Sequence, residues 1–176
     1  MNFLIAYTSV TGTAKECAEL LASNLSGHNV TLSRLEDKIP PLADFDAVII
    51  GAPVRYGKPH KALRKFIKER RAELLESKIV YFLCCAYSDR VEEYFHDMLD
   101  RELLSSAFLT VNFGGTLYVD RQPNFIMKRL VKMLRNDIEE NGDSDDESMA
   151  RILPTINTTE ISKTADIITG RAQIQG

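Results

Sequence analysis

One segment near the start of the chain joins an apolar strand, a hydroxyl-rich turn and the beginning of a helix. It reads Ile5-Ala6-Tyr7-Thr8-Ser9-Val10-Thr11-Gly12-Thr13-Ala14. The first N–H groups of a helix have no intrahelical acceptor and lie at the positive end of the helix dipole, so they bind anions. The side chains of Thr8, Ser9, Thr11 and Thr13 add hydroxyl donors, while no Lys or Arg occurs between Thr8 and Ala14. The segment predicts a pocket for a terminal phosphate monoester bound by neutral donors.

Other readings of this segment are a polyphosphate or dinucleotide site, or simply a capped helix. The glycine patterns of P-loop nucleotide-binding proteins and of dinucleotide-binding turns are both absent from it. Thr and Ser also precede many helices only because their oxygens accept N–H groups of the first turn. The capping interpretation therefore remains open at this stage.

Apolar runs alternate with amphipathic helical segments along most of the chain. Val30 and Leu32 alternate with polar residues as in a half-buried strand. This alternation predicts an α/β protein with a five-stranded, doubly wound parallel sheet, helices on both faces, and a single domain over residues 1–176. Ligands of such sheets bind at the carboxyl ends of the strands. The other four predicted strands are Asn2–Tyr7, Ala47–Gly51, Ile79–Cys85 and Phe108–Phe113.

Composition restricts the partners and the compartment. The formal net charge of −3 provides no basic field, so we expect no nucleic-acid partner. The first residues do not resemble a signal peptide, and no run of eighteen apolar residues occurs, so a cytoplasmic protein is expected. Cys17, Cys84 and Cys85 lack metal-ligand spacing and are predicted to be free thiols, with Cys17 and Cys84 in the core. No metal site is expected.

Two segments of this chain resemble the flavodoxin family. One is the hydroxyl-rich turn with its Thr-Gly-x-Ala ending, and the other is the aromatic-bearing loop after the third strand. The resemblance covers nearly the whole chain and implies FMN as the cofactor. It implies FMN phosphate contacts for Thr8, Ser9, Val10, Thr11, Gly12, Thr13 and Ala14. Ala14 stands where the family has a last Thr, so one hydroxyl contact worth about 1 kcal/mol is lost while the backbone donor remains.

The same resemblance implies that two later loops enclose the flavin ring. Tyr56 is expected to stack on the ring and lower its reduction potential, and Gly57 to adopt an unusual backbone conformation beside it. Arg55 can pair with an anion or be an ordinary surface residue. His60 is expected to help begin the next helix. The predicted ring contacts are Pro53, Val54, Arg55, Tyr56 and Gly57 after the third strand, and Cys85, Ala86 and Tyr87 after the fourth.

Within the flavodoxin-like proteins, Gly51-Ala52 followed by Arg55-Tyr56-Gly57 closely resembles the menaquinone-dependent protoporphyrinogen oxidase family. A second similarity is a helix inserted after the fifth strand, within an insert of about residues 115–148. Its residues Phe125 to Arg135 are apolar and basic, and no acidic residue occurs from Arg121 to Arg135. Such a helix can lie on an anionic membrane or a quinone-bearing partner, or it can pack on its own domain. Its two predicted faces are Lys128, Lys132 and Arg135, and Ile126, Leu130, Met133 and Leu134.

The resemblance implies an FMN oxidoreductase, with an enzyme as the favoured class. It would take electrons from a small molecule or a redox protein and pass them to a quinone-type acceptor, at the inner face of the membrane or in the cytoplasm. The alternative is a soluble flavodoxin-type electron carrier, although such carriers usually rely on a strongly acidic surface. A phosphoacceptor module is disfavoured because Thr8-Ser9 and Gly51-Ala52 stand where it needs carboxylates. Thr158 or Thr159 is expected to cap the last helix.

Overall fold

A computed structural model describes residues 1–55, 57–85, 90–141 and 154–171 of the chain. Its centre is a five-stranded parallel sheet with the strand order β2-β1-β3-β5-β6. A two-residue strand, β4, adds an antiparallel pairing to the end of β3. The strands are β1 Asn2–Tyr7, β2 Asn29–Arg34, β3 Ala47–Arg55, β4 Lys58–Pro59, β5 Ile79–Cys84 and β6 Leu109–Asn112.

Helices cover both faces of the sheet, so the predicted doubly wound α/β architecture is confirmed. The chain crosses from β1 through the first helix to β2 at one edge, then returns to place β3 on the other side of β1. The helices are α1 Thr13–Asn24, α2 Lys61–Glu69, α3 Arg71–Glu76, α4 Val91–Met98, α5 Arg101–Ser106, α6 Phe125–Asn141 and α7 Thr158–Ile168, with a short 3-10 helix at Leu42–Asp44.

Alternate residues of the central strands supply two separate cores. On one face, Leu4 and Ile50 belong to the core that includes residues of α2 to α5. On the other face, Phe3 and Ile5 belong to the core that includes residues of α1 and α7. Successive strand residues point to opposite faces, which is why a strand buried on both sides appears in the sequence as a continuous apolar run.

The cysteines follow the same alternation. Cys84 lies in the core beneath α1, and Cys85 lies in the core of the opposite face. Cys84 Sγ is 3.6 Å from Cys17 Sγ, and all three thiols are free and buried. The predictions of free thiols and of core positions for Cys17 and Cys84 are confirmed. The neighbouring Cys17 thiol and burial both raise the pKa of Cys84 well above its usual value.

Gly51 permits the close packing at the middle of the sheet. A Cβ atom at this position would lie 2.0 Å from Cζ of Phe82, whose ring stacks on Phe113 at a centroid distance of 4.8 Å. Glycine is therefore required here because the Phe82 ring fills the space that a side chain at position 51 would need. The reason is steric and does not involve an unusual backbone angle.

Several details differ from the sequence-based predictions. The helical pattern that follows the third strand divides at Arg70 into α2 and α3. The helix α5, capped by Asp100, and the short strand β4 were not predicted. The prediction that Thr158 or Thr159 caps the last helix is wrong, because the side chain of Asn157 accepts the N–H of Glu160 at 3.0 Å.

Candidate functional site

The turn between β1 and α1 is closed by its own side chains. The N–H of Gly12 donates to Ser9 Oγ at 3.2 Å, and the Gly12 carbonyl accepts from the N–H of Glu16 at 2.9 Å. Gly12 has a φ of +98°, a left-handed conformation that L side chains rarely adopt. The helix starts at Thr13, so its first N–H groups face this turn without intrahelical acceptors.

Thr8 anchors the turn from inside the protein. Its N–H donates to the Gly51 carbonyl at 3.0 Å, which ties the end of β1 to β3. Its buried hydroxyl donates to Glu36 Oε1 at 2.5 Å and lies 3.2 Å from Nδ1 of His60. The Thr8 hydroxyl is therefore engaged within the protein, whereas Thr11 and Thr13 line a cavity.

His60 begins α2, as expected from the sequence. Its Nδ1 accepts the N–H of Ala62 at 3.3 Å. Burial lowers the pKa of His60, helped by the positive charges of Lys61, Arg55 and Arg64, while the carboxylate of Glu36 opposes the shift. The His60 ring thus lies between the start of α2 and the Thr8 hydroxyl.

A cavity of about 560 Å³ opens at the carboxyl edge of the sheet. Residues that follow β1, together with those at and just after the ends of β3 and β5, form its base. The segment after β6 and one side of α6 complete its wall. This convergence is what a doubly wound sheet produces beside the point where its strand order reverses. The lining residues are Thr11, Thr13, Pro53, Val54, Arg55, Gly57, Cys84, Cys85, Arg90, Tyr94, Gly115, Thr116, Leu117, Gln122, Met127, Leu130 and Val131.

The segment between β6 and α6 is fastened across the cavity by hydrogen bonds. Arg55 Nη2 donates to Gln122 Oε1 at 3.1 Å, and Gln122 Nε2 donates to the Tyr118 carbonyl at 2.8 Å. Tyr118 Oη in turn donates to Glu16 Oε2 on α1 at 2.9 Å. This segment therefore connects the end of β3 with the first turn of α1.

Helix α6 presents different residues to the cavity and to solvent. Asn124 caps it, since Asn124 Oδ1 accepts the N–H of Met127 at 2.9 Å. Met127, Leu130 and Val131 line the cavity, which their spacing of three and four residues allows. Phe125, Ile126 and Met133 remain exposed, at 77%, 72% and 61% of their surface.

The predicted site residues separate into groups. Thr11, Thr13, Pro53, Val54, Arg55, Gly57 and Cys85 line the cavity. Ser9 and Gly12 shape the turn, Val10 is partly exposed, and the side chain of Ala14 is buried in the core, so only its backbone can serve a ligand. Gly57 has the expected positive φ, +69°. Tyr56, Ala86 and Tyr87 lie outside the described residues, as does the side chain of Leu134.

Sequence reasoning missed the residues that reach the cavity from distant parts of the chain. Gly115, Thr116, Leu117 and Gln122 belong to the segment after β6, which carries no periodic pattern. Arg90 and Tyr94 belong to the start of α4 and could have been suspected only from its position after a sheet strand.

Comparison with known proteins identifies the fold family. The model of the flavodoxin domain family matches residues 4–145. The chain belongs to the flavodoxin domain family. The oxidised flavodoxin 2 of Bacillus cereus is 16% identical, covers 98% of this chain and 100% of its own, and superimposes with a TM-score of 0.52. A flavoprotein from Lactobacillus acidophilus, solved in complex with FMN, is 15% identical over 63% of this chain and 92% of its own, with a TM-score of 0.49.

A curated relative matches a smaller part of the chain. Protoporphyrinogen IX dehydrogenase [quinone] of Escherichia coli strain K12 is 33% identical in a 79-residue alignment that covers 42% of this chain and 42% of the relative. The predicted resemblance to flavodoxins is confirmed, and FMN as the cofactor agrees with this family. In the part of the chain that the structure describes, no helix has the length and apolarity needed to cross a membrane.

Replacement of His60 by Asn should make the free energy of unfolding less sensitive to acid. Because the pKa of His60 is lowered on folding, the unfolded chain binds more protons there, and stability falls as the pH drops below 6.5. Asn retains a capping acceptor but does not titrate. Urea unfolding at about pH 8 and about pH 5.5 should show a smaller decrease in unfolding free energy for His60→Asn than for the parent. Equal decreases would contradict this role.

Proposed function

We propose that this protein binds FMN in the cavity and acts as an FMN-dependent oxidoreductase on an organic substrate. The observation that carries the proposal is the cavity itself, formed where the loops after β1, β3 and β5 converge in a chain of the flavodoxin domain family. When bound, the flavin supplies the redox chemistry, and the protein supplies binding, orientation and electrostatics.

The residues present fit the two ends of this cofactor. At one end, the hydroxyls of Thr11 and Thr13 and the N–H groups of the first turn of α1 suit a phosphate monoester. At the other end, Pro53, Val54 and Cys85 offer apolar surface and backbone groups to a flat ring. A Cβ atom on Gly57 would meet nothing within 4 Å, so the backbone there is open to a ligand. We retain the proposal that Tyr56 and Tyr87 contact the ring.

The wall formed by α6 favours an enzyme over a simple electron carrier. A carrier needs only an accessible flavin edge, whereas here Met127, Leu130 and Val131 extend the cavity beyond its loops. Arg55 and Arg90 also line the cavity and can attract an anionic substrate group. The partial match to a quinone-linked dehydrogenase supports a quinone-type acceptor, and the modest charge of −3 gives little support to an acidic docking surface.

Anaerobic reduction should separate the enzyme from the carrier. The purified protein should bind one FMN per chain. An organic donor such as a reduced tetrapyrrole should then bleach the flavin bands, and a soluble quinone should restore them. Bleaching only by a reduced redox protein would favour the electron carrier. Failure to bind FMN would reject both functions.

We further propose that α6 contacts an anionic membrane surface. Phe125, Ile126 and Met133 expose apolar surface, and Lys128 and Lys132 are exposed on the same helix. Interfacial helices combine such residues because apolar side chains enter the headgroup boundary while cations attract anionic lipids. Each cation near such a surface is worth about 1 kcal/mol, so binding of a few kcal/mol that weakens with salt is expected.

Cosedimentation with anionic vesicles tests this contact. The parent should sediment with the vesicles at low salt and much less at high salt, because the attraction is electrostatic. Lys128→Glu combined with Lys132→Glu should stay in the supernatant. Lys65→Glu combined with Lys68→Glu makes the same charge change on α2 and should sediment like the parent. Equal sedimentation of both double variants would assign α6 a purely structural role.

A further inference from the structure

The guanidinium of Arg121 lies against the turn that precedes α1. A Cβ atom built on Gly12 would be 3.0 Å from Nη1 of Arg121 and 3.9 Å from its Cδ, so the guanidinium covers this glycine. The turn itself contains no Lys or Arg. Arg121 therefore brings to the turn a positive charge from the segment between β6 and α6, far along the sequence.

The neighbours of Arg121 position its side chain but neutralise its charge only weakly. Its Cζ lies 3.9 Å from the centroid of the Tyr118 ring, a distance typical of cation–π contacts. Its Nη1 is 3.9 Å from Glu16 Oε2, the oxygen that already accepts a hydrogen bond from Tyr118 Oη. The Arg121 side chain is 53% exposed. An ion pair this long and this exposed is weak. Arg121 can therefore leave Glu16 and bind a stronger anion with little loss of free energy.

We propose that Arg121 is a ligand for the FMN phosphate and makes the site selective for the phosphorylated flavin; this inference rests on the proposed function. A guanidinium remains charged at all physiological pH values and binds phosphate oxygens through two N–H groups. The neutral donors of the turn and the charge of Arg121 would thus act on the same anion. Riboflavin lacks that anion and would gain nothing from Arg121.

Glu16 should have the opposite effect. Its carboxylate lies in the first turn of α1, where it competes with the phosphate for Arg121 and repels a second anion. Removing the negative charge of Glu16 while keeping its size should therefore strengthen FMN binding. Removing the charge of Arg121 should therefore weaken FMN binding, whereas removing the charge of Glu16 should strengthen it.

Titration of the full-length protein with FMN and with riboflavin tests the inference. Arg121→Gln should weaken FMN binding by about tenfold or more, because a charge-assisted hydrogen bond is lost, and should leave riboflavin binding unchanged. Arg121→Lys should recover part of the loss. Glu16→Gln should tighten FMN binding a few-fold, roughly the strength of an exposed ion pair, with no change for riboflavin. Arg101→Gln, the same charge change at the start of α5, should match the parent for both flavins.

Salt provides a second readout. The ratio of FMN to riboflavin affinity should fall with ionic strength more steeply in the parent than in Arg121→Gln. If Arg121→Gln has the same ratio of FMN to riboflavin affinity as the parent, the inference is overturned while the proposed function stays intact. Equal weakening of both flavins would also overturn it, since Arg121 would then only support the local fold. If the parent binds neither flavin, the proposed function is wrong and the inference falls with it.

Discussion

The pairing of β1 with two neighbours is the constraint on which the rest of the molecule depends. β1 hydrogen-bonds β2 on one side and β3 on the other, and the register is parallel on both sides. The chain must therefore leave β1 and β3 in opposite directions along the sheet, which opens a crevice above their carboxyl ends. The hydrogen bond from the Thr8 N–H to the Gly51 carbonyl holds the two strands together at that point.

The cavity above this crevice joins local and distant parts of the chain. The turn before α1 is shaped by its own residues Ser9 and Gly12. Its surroundings come from the segment after β6, where Tyr118 bonds to Glu16 and Gln122 bonds to Arg55. A site that combines a neutral anion-binding turn with a distant cation can separate the tasks of positioning a phosphate and attracting it. That division is the physical basis of the proposed selectivity for FMN.

The sequence allowed prediction of the parts whose signal is local. β3 and β5 were evident because strands buried on both faces are continuous apolar runs. The turn before α1 was evident because its hydroxyl residues and glycine occur together. α5 is only six residues long and β4 only two, which is too short for a hydrophobic period to develop. Arg121 was missed because its proximity to Gly12 depends on tertiary folding, and an isolated Arg has no distinguishing pattern in the sequence.

We propose that one cavity, built from three loops and the segment after β6, holds the flavin. Hydrogen exchange of backbone amides, followed by mass spectrometry with and without FMN, tests this claim most directly. FMN binding should slow exchange in peptides that contain residues 9–14, 53–57 and 84–85, with little change in α3 or β2. Protection confined to other parts of the chain, or none in these three loops at saturating FMN, would contradict it.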